Sequence, residues 1–196
     1  MSSTNRSNAR EDHIADYYVT PVKDVELFLN ELNKNIDPSI WNKVKILDPC
    51  AGGDDNHPMS YPAAINNIYG NCNVNCIDIR EDSLAEVKGD YLKRLDVKNF
   101  SPYIIITNPP FNLALEIIKK ALDDVANGGY VIMLLRLNFL ETKARKEFFD
   151  KYMPEYIYVH HKRMSFVEGK GTDSVAYAHF VWHKGHYPEF AKIKVI

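Results

Sequence analysis

The chain has 196 residues, of which 45% are apolar, 12% aromatic and 26% charged, with a formal net charge of −2. At ~100–200 residues per domain this is one domain, and its apolar content excludes wholesale disorder. The near-neutral balance argues against a histone-like wrapper of nucleic acid while leaving room for a local basic groove.

Residues 1–12 read as a polar tail and 13–196 as one folded domain. The opening stretch lacks the apolar segment of a secretory signal. No run approaches the ~18 apolar residues of a membrane span, so a cytoplasmic, membrane-free protein is expected. Thr20-Pro21 reads as a helix cap followed by proline at the first helical position. Val22, Val25, Phe28, Leu29 and Leu32 follow at helical spacing, which predicts a helix over 21–34. Strands are predicted at 44–48 and 73–79, with a short helix at 62–69 that Gly70 stops. Residues 103–107 are apolar enough for a strand buried on both faces. A helix over 113–125 ends at Gly128-Gly129, a buried strand runs over 130–137, and a charged helix spans 141–151. Two last strands are predicted at 155–161 and 174–183. Strands alternating with helices imply a parallel α/β sheet. No helical pattern separates the last two strands, so one of them is expected to run antiparallel at the edge.

Cys50, Cys72 and Cys76 are three thiols in a chain without a secretory signal, which suggests reduced cysteines. No Cys or His spacing completes a zinc site, so no metal is expected.

Three turns between strands carry ligand chemistry. The first is Asp48-Pro49-Cys50-Ala51-Gly52-Gly53-Asp54, where glycines let the backbone approach a ligand closely. The second holds Asp78, at the end of the next strand, where a carboxylate can accept from ribose hydroxyls. The third is Asp90-Tyr91-Leu92, where a carboxylate can accept from an adenine amino group. Three such turns in order suggest a nucleoside-containing ligand, and no GxxxxGK[ST] phosphate loop is present.

Asn108-Pro109-Pro110-Phe111 is the most specific signal in the chain. Two prolines fix the backbone and remove two amide donors. The Asn108 side-chain oxygen and the Asn108 and Pro109 carbonyls can then face a ligand as converging acceptors, which suit an exocyclic amine. Phe111 offers a flat face on which a heterocycle can stack. Hydrogen bonds from the amine to these oxygens would turn its lone pair out of conjugation. The nitrogen could then attack a sulfonium methyl placed in line, and the same oxygens would stabilise the developing cation.

With these motifs in this order, the chain resembles the S-adenosylmethionine-dependent amino-group methyltransferases, most closely the DNA N6-adenine methyltransferases. The resemblance runs from about Tyr17 to Gly185 and rests on DPCAGGD and NPPF. It implies a Rossmann-like class I methyltransferase: α/β, with a mostly parallel seven-stranded sheet and an antiparallel edge strand. It implies S-adenosyl-L-methionine as cofactor. The cofactor would be held by Tyr18, Thr20, Pro21, Asp48, Cys50, Gly52, Asp78, Asp90, Tyr91 and Asn108. Asn108, Pro109, Pro110 and Phe111 would be catalytic, with Phe111, Arg163 and Phe166 on the substrate. DNA is the implied partner, with the target base flipped out of the stack.

The sequence departs from the family at Asp54, where a second loop glycine is usual, and at Asp55-Asn56-His57-Pro58, where the family usually begins a helix. It also lacks a region long enough to be a separate target-recognition unit, so a specificity partner would supply that surface. Lys143, Arg145 and Lys146, and the loop with Lys162, Arg163 and Lys170, are candidate phosphate contacts. Two further readings stay open: transfer to another planar amine (cytosine N4, RNA adenine, a protein glutamine amide), and a non-catalytic subunit retaining the fold.

Overall fold

The computed structural model describes residues 18–166 and 174–196. The expected polar tail and Lys170 lie outside the described residues. The first helix, α1 (Val22–Leu32), buries Val25, Phe28, Leu29 and Leu32, the stripe its spacing predicts. Thr20 is not its cap. Pro21 holds the cap position with extended backbone, one residue later than expected, and its side chain makes no capping bond.

The remaining elements follow in chain order: β1 (Ile46–Asp48), α2 (Ser60–Tyr69), β2 (Val74–Asp78), β3 (Val87–Lys88), α3 (Val97–Phe100) and β4 (Ile104–Thr107). After them come α4 (Ala114–Asp124), β5 (Tyr130–Arg136), α5 (Lys143–Lys151), β6 (Tyr156–Val159), β7 (Tyr177–His183) and β8 (Lys192–Val195). The strands form one sheet in the order β3-β2-β1-β4-β5-β7-β6-β8. Strands β3, β2, β1, β4 and β5 are mutually parallel.

The sheet has eight strands rather than the expected seven. The antiparallel strand is β7, which lies between β5 and β6, while β8 runs parallel to β6 as the outermost strand on that side. The eighth strand escapes a burial-based reading because all four of its residues are exposed. Strand β3 and helix α3 were also not expected; at two and four residues they are too short to show a period.

Alternation along β4 divides the core. Ile104 and Ile106 face α1 and α2, packing with Phe28, Ile65, Ile132 and Val181. Ile105 faces the other way, with Val131, Met133, the α4 residues Ile117 and Ile118, and Phe148 of α5. Apolar side chains on both faces explain why β4 and β5 read as continuous hydrophobic runs. Among the described residues, no helix is long and apolar enough to cross a membrane.

Candidate active site

Because β1, β2 and β4 are parallel neighbours, their carboxyl ends open on one edge of the sheet. Asp48 ends β1, Asp78 ends β2, and Asn108 directly follows β4. The topology therefore gathers three residues that the sequence separates widely.

The turn after β1 needs its glycines. Gly52 has φ 64° and Gly53 φ 76°, the left-handed region that side chains resist. A Cβ on Gly53 would also lie 2.8 Å from Met59 Cγ. The turn is tied to β2 by the Asp78 carboxylate: Oδ2 accepts from the Gly52 amide at 2.7 Å and Oδ1 from the Arg80 amide at 2.8 Å. The Ala51 amide donates to the Ile77 carbonyl at 3.0 Å, closing the same seam. Asp48 is fully buried; its Oδ1 accepts from the Cys50 amide and its Oδ2 has no hydrogen-bond partner. Burial pushes its carboxyl up to about 7, with the charge of Asp78 adding to the rise and the nearby Thr107 hydroxyl and Cys50 amide opposing it. Burial likewise raises the Cys50 thiol, and Asp48 and Asp78 raise it further.

The departure at Asp54 has a structural account. Asp54 and His57 exchange backbone hydrogen bonds in a tight turn, and the Asp54 carboxylate accepts from the Asn56 and His57 amides. Its Oδ1 also lies 3.0 Å from His57 Nδ1. These donors, the Asn56 amide foremost, hold its carboxyl below the usual range. The negative charge is thus taken up inside the turn, and α2 starts afterwards, at Ser60.

Asp90 caps a short 3-10 turn by accepting from the Leu92 amide, and its Oδ2 lies 3.3 Å from Lys93 Nζ. Tyr91 is buried, and its hydroxyl donates to Asp124 Oδ2 at 2.9 Å; Lys120 Nζ meets the same oxygen at 2.8 Å. The Tyr91 ring is therefore a core element, leaving its backbone for any ligand contact.

Asn108 is held at one end only. Its Nδ2 donates to Thr20 Oγ1 at 3.0 Å, while its Oδ1 is buried without a partner. Thr20, just ahead of α1, is itself buried. An unmet buried acceptor is costly unless a ligand donor completes it. Beyond it, Phe111 joins a cluster of rings: Tyr18 at 6.2 Å and Tyr177 at 5.6 Å between centroids. Phe166 lies 5.7 Å from Tyr18 and 4.8 Å from Tyr177. The Arg136 guanidinium sits over the Phe111 ring at 4.3 Å. The structure thus brings Tyr18, Phe111 and Phe166 together, and adds Tyr177 and Arg136, which sequence reasoning missed. The available signal was the single charge that ends the apolar run Tyr130–Arg136.

A second missed feature centres on His179, two residues beyond Tyr177 on β7. His179 Nδ1 is 2.8 Å from His160 Nε2, and its Nε2 is 3.0 Å from the Tyr61 hydroxyl. Phe28 stacks on His179 with centroids 3.9 Å apart. Burial holds His160 down to about 4 and His179 well below its ordinary value.

The basic candidates are less gathered. Lys146 pairs with Asp150, and Arg145 is spent on the Asn138 carbonyl and the Phe139 ring. Lys143, Lys162 and Arg163 are exposed. Among the described residues, no group of three or more His, Cys, Asp and Glu side chains could hold a metal ion.

No family model and no curated protein matches the sequence. Solved structures share the fold. A protein described as a class I S-adenosylmethionine-dependent methyltransferase from Listeria monocytogenes superposes with TM-score 0.65 at 16% identity, over 91% of this chain and 65% of that one. The methyltransferase subunit of a type I restriction-modification system from Streptococcus thermophilus gives TM-score 0.67 at 9% identity, over 86% of this chain and 45% of that one. A protein described as an RNA methyltransferase from Pyrococcus horikoshii gives 0.59 at 13%, over 87% and 88%. The chain spans less than two thirds of the first two. At these identities the likeness shows the fold, which is Rossmann-like and of the class I methyltransferase type.

Proposed function

We propose that this chain transfers a methyl group from S-adenosyl-L-methionine to the exocyclic N6 amine of adenine in DNA. The single observation that carries the reading is the state of Asn108: its Nδ2 is anchored on Thr20, and its buried Oδ1 is left without a donor. An amine hydrogen would satisfy it. The neighbouring Phe111 ring and the rigid Pro109-Pro110 backbone suit a planar heterocycle presented edge-on to that oxygen.

The residues present fit the cofactor. The glycine turn brings backbone close to the strand ends, and the Asp78 carboxylate, at the end of β2 and bonded to that turn, would accept from the ribose hydroxyls. Asp48 has a free, buried oxygen that a cationic amino group would complete. Tyr18, Thr20, Pro21, Cys50, Gly52 and Asp90 would line the cofactor beside them. When bound, the cofactor supplies an electrophilic methyl on a sulfonium.

The chain's own residues do the rest. Asn108 Oδ1 and the Pro109 carbonyl accept from the amine, favour a pyramidal nitrogen, and stabilise the charge that grows on it. Phe111 fixes the ring plane and excludes water from one face. The nitrogen becomes acidic once it carries four bonds, so its proton leaves without a strong base. Phe166 would flank the base through the ring cluster, and Arg163 would meet the backbone outside.

The same geometry would serve cytosine N4, adenine in RNA, or a glutamine amide. DNA is favoured by the motif likeness and by the restriction-modification neighbour, which is one subunit of a system. That neighbour also motivates a separate specificity partner for this chain.

The test is methyl transfer from labelled S-adenosylmethionine to duplex DNA, single-stranded DNA, RNA and a protein extract, with products identified by mass spectrometry. N6-methyladenine from DNA, lost in Asn108→Ala, is expected. Label in another acceptor would keep the mechanism and replace the substrate. No label in any acceptor, with cofactor bound normally, would favour the non-catalytic subunit.

A further inference from the structure

Arg136 is a charged residue of the site that the proposed reaction does not use. It ends β5, directly opposite Tyr177 of β7. Its Nε donates to the Tyr177 hydroxyl at 3.3 Å, and its guanidinium lies over the Phe111 ring at 4.3 Å. Among the described residues it has no carboxylate partner. A guanidinium has five N–H donors in a flat fork, so four remain on its two terminal nitrogens.

The surroundings select the ligand. The position is only partly exposed and is walled by Phe111 and Tyr177. A cation held there without a counter-charge favours an anion. The sheet order tells which anion. Strand β4, carrying Asn108, lies between β1 and β5, so Arg136 sits on the side of Asn108 away from the glycine turn and Asp78. In the reading above the cofactor lies with the glycine turn and Asp78. The acceptor belongs on the Phe111 side.

We propose that Arg136 is a phosphate-binding and positioning residue. It clamps the phosphodiester of the nucleotide whose base stacks on Phe111, and it orients that ring through the same guanidinium. This rests on the nucleic-acid reading above and adds to it that the acceptor is recognised as a nucleotide, by a charge adjoining the base pocket. The ring fixes the base plane and the cation fixes the backbone, so one side chain couples the two.

The test is binding of a fluorescein-labelled single-stranded DNA to the full chain with S-adenosylhomocysteine present, measured against salt concentration. Wild type is compared with Arg136→Gln, which removes the charge, and Arg136→Lys, which keeps it. Arg136→Gln is expected to bind about tenfold more weakly at low salt. The slope of log affinity against log salt should become shallower by about 0.7, the single-strand value for one phosphate. Arg136→Lys should keep the wild-type slope. S-adenosylhomocysteine affinity should stay within about twofold in both variants. An unchanged slope in Arg136→Gln would overturn the proposal, even if binding weakens through lost packing. A matching loss of S-adenosylhomocysteine affinity would overturn it in favour of a cofactor carboxylate. Wild-type protein that binds neither this DNA nor the same sequence in RNA would remove the nucleic-acid reading itself, and that result is read before any variant.

Discussion

Thr20 Oγ1 and Asn108 Nδ2 meet at 3.0 Å across 88 residues of sequence. The bond fixes the Asn108 amide by its nitrogen and leaves its buried oxygen without a partner. Thr20 thus acts through Asn108. Thr20→Val removes the acceptor at nearly constant shape, so a rate loss of about tenfold is expected, the worth of one hydrogen bond. Thr20→Ser should keep the rate. Steady-state kinetics with calorimetric cofactor binding checks this; equal rates for Val and Ser would refute the positioning role.

Asp78 joins β2 to the glycine turn through the Gly52 amide. Asp78→Ala should weaken S-adenosylmethionine binding by roughly 1.5–3 kcal/mol, through charge-assisted bonds lost directly and through loosening of the turn. Asp78→Asn retains an acceptor for Gly52 and should fall between. Calorimetry that finds Asp78→Ala equal to wild type would take Asp78 out of the cofactor site.

Gly53→Ala meets two obstacles, a left-handed backbone and Met59 Cγ at 2.8 Å. A cost of roughly 1–3 kcal/mol is expected, read as a lower midpoint in urea. A midpoint equal to wild type would show that the turn relaxes without cost.

Asp48 and the histidine pair oppose each other in pH dependence. Burial, the main cause, raises the Asp48 carboxyl to about 7 from an ordinary 3.8. Between those values the folded chain holds a proton that the unfolded chain has lost, so this group's contribution falls as pH rises to about 7. Asp48→Asn should therefore raise the melting temperature of the cofactor-free protein at pH 8, and the gain should vanish below about pH 4. A gain independent of pH would mean that Asp48 is ionised throughout.

His160 and His179 have the reverse sign. Burial holds His160 at about 4 and His179 well down, both from 6.5. Below pH 6.5 the unfolded chain takes up protons first, so their contribution is complete above 6.5 and is lost as pH falls toward about 4. His160→Gln should flatten that part of the stability curve, measured by urea titration at successive pH values. An unaltered curve would assign acid destabilisation to the carboxylates.

The sequence was most legible where one period or one motif spans a whole element. Helices α1 and α4 and strands β4 and β5 fall within about two residues of expectation, because their apolar positions meet a core on the side the pattern implies. The end-of-strand residues Asp48, Asp78 and Asn108 were also legible, since α/β topology places strand ends together. What stayed hidden depends on contacts between distant segments. Nothing local says that Tyr91 turns to Asp124, that His160 and His179 meet, or that Arg136 lies over Phe111. Nor does an exposed strand such as β8 carry a burial signal.

Strand β7 comes after β5 and β6 in the chain yet lies between them in the sheet. When β6 first becomes available, its final neighbour does not yet exist, and β5 and β6 both present unpaired edges. The two could pair directly, leaving no slot for β7. Correct assembly must therefore keep β5 and β6 from pairing until Tyr177–His183 is seated on β5, alone or as a hairpin with β6, carrying Tyr177 and His179 with it. Closure of the sheet and completion of the aromatic wall beside Phe111 are then the same late event, and a slow folding rate is expected from such non-local pairing. A chain in which β7 has not docked would lack the Tyr177 face of that wall, against which Phe111 and Phe166 pack.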